Sequence, residues 1–439
     1  MKKIGFSVLG LVVVAAIYYF TSGSEQLTLQ IKQQIASKVA TLKTQGFTVE
    51  KKTSDNKEHF ILSFDEPTKI AKFLNTQGAQ LTPNDVASLK GLKVGVDVSY
   101  LADAYSAASF DIYPIALPNM KITKNDKKTL QKIQSMIDKK TFLLHVDVNK
   151  LGTGFQGYMK DINEILVGEL TVNLKMTALK FNGDIKDDRL TAITQTLKNL
   201  SIKDNNNEIN MQLNHLKSHY ATTGDTPYDY TTDYTIEEML MMLKDAFALR
   251  INNMSISSNS NVKNHLASVN AQTEITSILF TQAKKTTLFE TFILDMRAEN
   301  FDIQAIKKLE TIDPNNEKEL LATFQKLISK GVRFEIPNFS IKNITFKNQK
   351  LEGFKLTSSF DIDKSLDLSS LKNNPMSMLG KLDANLRLVL SNQLFGLLAQ
   401  QPQAMLAMML FHPKDVNGQK VYKLELKDGS LTVNDKKAM

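Results

Sequence analysis

Apolar residues fall at every second position in segment after segment of this chain, a period that fits a half-buried strand and does not fit a helix. Phe60, Leu62 and Phe64 alternate with other residues, as do Leu92, Val94, Val96 and Val98, then Leu144, Val146 and Val148, then Leu170, Val172, Leu174 and Met176. Ser54-Asp55-Asn56-Lys57 turns the chain between the Phe47/Val49 run and the Phe60 run, and Asp204-Asn205-Asn206-Asn207 does the same between Leu200/Ile202 and Ile209/Met211/Leu213. Phe292, Leu294 and Met296, and later Val332, Phe334 and Ile336, continue the series. Strands with one apolar face belong to antiparallel sheet, because a parallel strand covered on both sides would be apolar at every position.

Helical spacing breaks the series in places. Leu27, Ile31, Ile35, Val39 and Leu42 predict an amphipathic helix within residues 24–46, closed by Gly46 where a left-handed residue is wanted. The same spacing predicts helices after an Asn125 cap (Leu130, Ile133, Ile137), over 236–247, over 303–312, over 320–328 and within 394–411. The expected fold is α+β, a large, mainly antiparallel, twisted or curved sheet with helices inserted between strands and packed on one face. The expected divisions are an N-terminal membrane segment (1–23), the amphipathic helix (24–46), a β-rich half (47–219), a loop rich in Thr, Asp and Tyr (220–235) and a second β-rich half (236–439) ending in a hairpin.

Lys2 and Lys3 precede an apolar to weakly polar run over residues 4–20, close to the roughly 20 residues that cross a bilayer as a helix. The run ends in Ile17, Tyr18, Tyr19 and Phe20, an aromatic belt in place of a small-residue cleavage site. The expectation is an uncleaved transmembrane helix holding the chain in a bacterial inner membrane with its bulk in the periplasm. Thr21-Ser22-Gly23 is the alternative, a poor peptidase site. With no cysteine, disulfides, thiol nucleophiles, thiolate metal sites and lipoprotein acylation are all excluded. The formal charge of +8 comes from Lys interspersed with Asp and Glu and, in an exported chain, points to no nucleic acid.

Leu382, Asp383, Ala384, Asn385, Leu386, Arg387 and Leu388 lead into a helical stretch, and the chain finishes through residues 422–435, from Tyr422 to a Val433-Asn434-Asp435 turn, before Met439. Together with residues 331–363, which carry Ile336, Pro337, Asn338, Phe339, Ser340, Ile341, Lys342 and Asn343, and with the N-terminal run, this resembles the bacterial family of unknown function whose enterobacterial member is YdgA. Asp435 stands where that family commonly has Gly. The resemblance implies an envelope location and a β-rich fold, and no reaction.

Several motifs match a chemistry by letter only. Gly152-Thr153-Gly154-Phe155-Gln156-Gly157 spells a dinucleotide fingerprint, but the following segments alternate as antiparallel strands, so a turn is expected. His215 and His219 lack the Glu of a zinc-protease helix, and on a strand they stand about 13 Å apart. Residues 204–208 lack the Gly and distant Glu of a calcium loop. Asp361 and Asp363 alternate with apolar residues as other solvent-face carboxylates do. No catalytic residue, metal or cofactor is expected. Lys121, Lys124, Lys127, Lys128, Lys132, Lys139 and Lys140 accompany Leu130, Ile133 and Ile137 on a basic amphipathic helix, read as docked on the sheet, with anionic lipid head groups as the alternative contact.

The most apolar stretch beyond the N-terminus is 394–411, split by Gln400-Gln401-Pro402-Gln403 and too short on either side to span a membrane. Leu394, Leu398, Met405, Met408 and Met409 are the candidate lining of an apolar-ligand groove, with ordinary core packing as the competing reading. The functional expectation is a non-enzymatic, membrane-anchored envelope protein that binds an apolar ligand or lipid. The alternative is a scaffold for another envelope protein, with a hydrolase third. The sequence carries no signal for an oligomeric state.

Overall fold

In the computed structural model, residues 28–437 are described apart from 55–56, 77–80, 82–88, 101–104, 119–126, 168–170, 187–188, 207, 245, 310–311, 313–315, 370–374 and 402–410. The expected membrane segment, 1–23, lies outside the described residues. Among the described residues no helix is long and apolar enough to cross a membrane. The chain divides into two compact units, Met1–His219 and Tyr220–Met439.

The first unit opens with α1 (Thr28–Thr44) and the hairpin β1 (Phe47–Ser54) and β2 (Lys57–Phe64). Gly46 sits between helix and strand at φ +96°, and a Cβ there would lie 2.8 Å from the Glu66 side chain, so this reversal requires glycine. Then come α2 (Pro67–Thr76), β3 (Lys93–Tyr100), β4 (Ser106–Ala116), α3 (Lys127–Asp138), β5 (Leu144–Asn149), β6 (Gly154–Met159), β7 (Ile162–Val167), β8 (Thr171–Thr177), β9 (Leu179–Lys186) and β10 (Arg189–Asp204). Pairing is antiparallel in the order β1, β2, β3, β4, β5, β6, β9, β10, with β8 also on β10 and β7 outside β8.

The alternation in the sequence decides which face this sheet buries. Phe60, Leu62, Phe64, Val94, Val96, Val98, Phe110, Ile112, Val146 and Val148 form one core with Ile35 and Leu42 of α1 and Ile70 and Leu74 of α2. Helix α3 buries Met136 and Ile137 against Phe142, Ile162 and Leu174, while Lys132 reaches Glu164 at 2.6 Å. The basic helix is thus docked on the sheet along its apolar stripe. The fingerprint-like glycines fall in the β5–β6 turn and in β6, and Tyr158 lies on the β6 strand. Gly157 is needed for packing: a Cβ there would stand 2.2 Å from the His145 carbonyl oxygen.

β11 (Ile209–Thr222) carries the chain into the second unit. The expected 220–235 loop reduces to residues 223–229, because β11 runs to Thr222 and β12 (Tyr230–Leu243) starts at Tyr230. Asp229 makes the turn that tight, accepting from Thr226 N and Oγ1 and from Val262 N. The helix predicted over 236–247 is β12. Met239, Leu240, Met241 and Met242 are apolar on consecutive positions, so no period separates strand from helix there. β13 (Phe247–Lys263), β14 (Leu266–Gln282) and β15 (Lys285–Asp302) follow, then α4 (Ile303–Leu309) and α5 (Glu317–Ile328). Next come β16 (Val332–Phe346), β17 (Gln349–Ile362), β18 (Leu382–Ser391), α6 (Asn392–Leu398), β19 (Lys414–Val416), β20 (Gln419–Lys427), β21 (Ser430–Val433) and β22 (Lys436–Lys437). Strands β12 to β18 pair antiparallel in chain order, and β20 closes on β18. The terminal hairpin turns at Asp428-Gly429, both at positive φ.

A candidate apolar-ligand surface on the second sheet

Register across this sheet lines apolar residues into rows. Tyr234, Ile256, Thr273, Leu294, Phe339, Leu356, Leu388 and Tyr422 stand opposite one another across eight strands. Beside them runs Ile236, Met254, Ile275, Phe292, Ile341, Phe354 and Leu390. At about 4.8 Å between strands, the first row is roughly 34 Å long and the second, over seven strands, roughly 29 Å. Phe339 ties the two rows together, its ring edge-on to Phe292 (5.7 Å) and to Phe354 (5.0 Å).

Two further rows, Met239–Ile251–Ile278–Phe289–Ile344–Leu351 and Met241–Leu249–Phe280–Thr287–Phe346–Gln349, extend the face along the strands. They would point to the opposite side if every strand kept a strict period of two. The pairing instead skips one position on each strand along a common line, at Glu237, Asn253, Thr276, Thr291, Lys342 and Gly353, and Asn253 (φ +48°) and Thr291 (φ +55°) are left-handed there. One such residue shifts the alternation by one, so the apolar side chains return to the same face. Phe289 and Ile344 beyond the line pack with Ile341 and Phe354 before it. The opposite face carries Ser255, Ser257, Asn259, Glu274, Gln272, Asn270, Asp295 and Arg297.

Gly353 lies on that line, and a Cβ there would be 1.9 Å from the Ile341 carbonyl oxygen. Gly353→Ala is expected to destabilise the second unit by about 1–3 kcal/mol, read as a lower urea midpoint. An unchanged midpoint would mean the line is not held by close backbone approach.

Among the described residues, helices cover this face at two places. Near one end of the strands Ile328 of α5 packs with Val332, Leu366 and Leu382. Near the other, Leu394 of α6 packs with Ile344, Leu390 and Tyr422. Between them Tyr234 and Phe334 are each 42 % exposed, and Leu294, Phe339, Leu356, Met254 and Ile256 are half-buried. Of the residues expected to line a groove, Leu394 is enclosed in the core under α6, Leu398 packs partly buried beside it, and Met405, Met408 and Met409 lie outside the described residues. The face itself was missed by counting period two, because the skipped position breaks each count midway through the strand.

A polar constellation occupies the other face of the first sheet. Lys52, His59, Asp97, Asp111, His145, Tyr158 and Lys180 are successive cross-strand neighbours. His59 Nδ1 donates to Asp97 Oδ1 (2.6 Å), while Tyr113 Oη and Lys140 Nζ both donate to Asp97 Oδ2 (3.0 Å each). His145 donates from Nδ1 to Asp111 (2.7 Å) and from Nε2 to Asp147 (3.2 Å), and only a doubly protonated ring can do both. These residues occupy the polar positions between Val96 and Val98 and between Leu144 and Val146, where alternation marks solvent-face residues without distinguishing them. Among the described residues no group of three or more His, Asp or Glu is arranged to hold a metal ion. His215 and His219 lie on β11, where His219 Nδ1 meets Thr194 Oγ1 at 2.9 Å.

The hydrogen bond to Asp111, working against burial and helped by the Asp147 charge, raises the His145 pKa above its ordinary 6.5. A folded value above the unfolded one means His145 contributes stability fully below about pH 6.5 and loses it as pH rises through the raised value. Thermal unfolding of the wild type is therefore expected to lose a stability increment between mildly acidic and mildly alkaline pH that His145→Gln lacks. Parallel pH profiles for the two proteins would refute this linkage.

No family model, curated protein or solved structure matches the chain.

Proposed function

We propose that this chain is a non-enzymatic envelope protein that holds the acyl chains of lipid on the apolar face of its second sheet. The carrying observation is the set of aligned rows, half-exposed between two helix-covered ends, on a sheet whose opposite face mixes Ser, Asn, Gln and charged residues with scattered apolar ones such as Ile293, Leu279 and Val389. Soluble domains rarely leave so continuous an apolar surface open to water. In the four rows Thr273, Thr287 and Gln349 are the exceptions to aliphatic, aromatic and Met side chains, and Tyr234 and Tyr422 add two phenolic hydroxyls. Such a lining suits a flexible hydrocarbon chain better than a ligand recognised by directed hydrogen bonds. The apolar run at residues 4–20 and the resemblance to the YdgA family support a membrane-tethered, periplasmic setting in which such lipid is at hand.

Native mass spectrometry of the gently extracted full chain, followed by organic extraction, tests the reading. A stoichiometric phospholipid or fatty-acid adduct is expected. A bare protein mass that persists across mild detergents would refute it and favour the scaffold, in which the face is covered by another envelope protein.

A further inference from the structure

The edge at which the apolar face ends has a composition of its own. Antiparallel order places three chain reversals at the same end of the second sheet. These are the reversal beyond the Leu243–Phe247 pair, where Ala246 N donates to Leu243 O, Ala283-Lys284 beyond Gln282–Lys285, and Lys347-Asn348 beyond Phe346–Gln349. The last two are tight reversals with both residues at positive φ, so they project as narrow tips.

Lys244, Lys284, Lys285, Lys347 and Lys350 crowd this edge, and Asp245 is the one carboxylate in the three reversals. Lys350 pairs with Glu290 (2.7 Å), whereas no carboxylate among the described residues pairs with Lys244, Lys284 or Lys285. At the other end of the strands the nearby helices offset their charge internally, with Lys308 on Glu319 (3.0 Å) and Lys326 near Asp302 (4.0 Å). At that end Lys263, Lys330, Lys364 and Lys381 are interspersed with Asp302, Glu319, Asp361 and Asp363, whereas the three reversals carry Lys with a single Asp.

Apolar residues reach the same edge. Leu243 is 43 % exposed, and Met241, Leu249, Phe280 and Phe346 form the row just behind the tips. On the β12–β14 side a hydrocarbon chain entering here passes Leu243, Met241, Leu249 and Phe280, with Gln282, Lys285, Thr287 and Gln349 as the polar residues of the same two rows. We infer that this hairpin-tip edge docks on an anionic phospholipid surface and opens the apolar face to it. The inference rests on the acyl-chain reading above and adds the partner and the point of entry. Lysines close to an anionic leaflet each strengthen binding roughly fivefold, so four of them amount to at least about 100-fold.

The chain contains no Trp, so a single introduced indole reports its own site. Leu243→Trp at the tips and Phe324→Trp on α5 are compared in the full chain, reconstituted in phosphatidylcholine vesicles carrying doxyl-labelled lipid, with and without phosphatidylglycerol. The N-terminal run is common to every sample. Leu243→Trp is expected to be quenched several-fold more when phosphatidylglycerol is present, and Phe324→Trp to be unaffected. Adding Lys244→Glu, Lys284→Glu, Lys285→Glu and Lys347→Glu together should remove the difference while leaving the lipid extracted from purified protein unchanged. Equal quenching of the two reporters, or quenching at Leu243→Trp that survives the four reversals, overturns the docking edge. Absence of extracted lipid from the wild type overturns the acyl-chain reading instead, and the quenching comparison still decides the docking.

Discussion

Ile256→Asp is expected to abolish the lipid adduct of the purified chain, lowering occupancy on the order of 100-fold, while leaving the fold intact. Ile256 stands in the row between Tyr234 and Thr273, half-buried and outside both helix-packed clusters of the described residues. A carboxylate at that point stays hydrated in the empty protein but must lose water when an acyl chain covers it. That desolvation costs several kcal/mol and falls on the bound state alone. Asn259→Asp is the matched control: it lies three residues along the same strand on the polar face, opposite Thr231 and Asn270. Native mass spectrometry of the two variants should show the adduct lost in the first and kept in the second. Equal retention would mean the ligand does not lie on these rows.

The second large effect is on stability. Phe110→Ala is expected to destabilise the first unit by about 3–5 kcal/mol, because a nearly inaccessible aromatic ring is replaced by a void. Phe110 is 1 % exposed and sits in the middle of the sheet between its cross-strand neighbours Val98 and Val146. Urea unfolding monitored by hydrogen exchange of β2 to β5 amides would show the loss. A cost below about 1 kcal/mol would mean that the helices α1 and α2 close over the cavity, which the packing of native cores rarely allows.

Much of the first unit could be read from the residues. Val94, Val96, Val98, Val146 and Val148 alternate without interruption, and each is buried in the core as that period requires. The helices over 28–44, 127–138 and 317–328 were also legible, since each has a single apolar stripe. The second sheet was less so, for a physical reason. Leu249 and Ile251 are followed by Met254 and Ile256, a step of three that belongs to neither period, and the same slip recurs at Ile275/Ile278, Phe289/Phe292, Ile341/Ile344 and Leu351/Phe354. Only the strand register shows that these slips line up and cancel. Apolar density singles out stretches such as 394–398, where Leu394 and Leu398 of α6 close a core. The rows of the second sheet come from moderately apolar strands, and their sum is visible only when the strands stand side by side.

The His–Asp row of the first sheet was unreadable for a related reason. His59, Asp97, Asp111 and His145 are far apart in sequence and ordinary at each site. Their meeting depends on the pairings of β2, β3, β4 and β5.

The central claim, that lipid chains lie on the rows of the second sheet, is tested most directly by photolabelling the full chain with a phospholipid carrying a diazirine near the end of one acyl chain, and mapping the modified residues. The account predicts labels on Met254, Ile256, Leu294, Phe339 and Leu356, with none on Ser255, Ser257 or Asn259 of the opposite face. Labels confined to residues 4–20, or spread equally over both faces of β13, would contradict it.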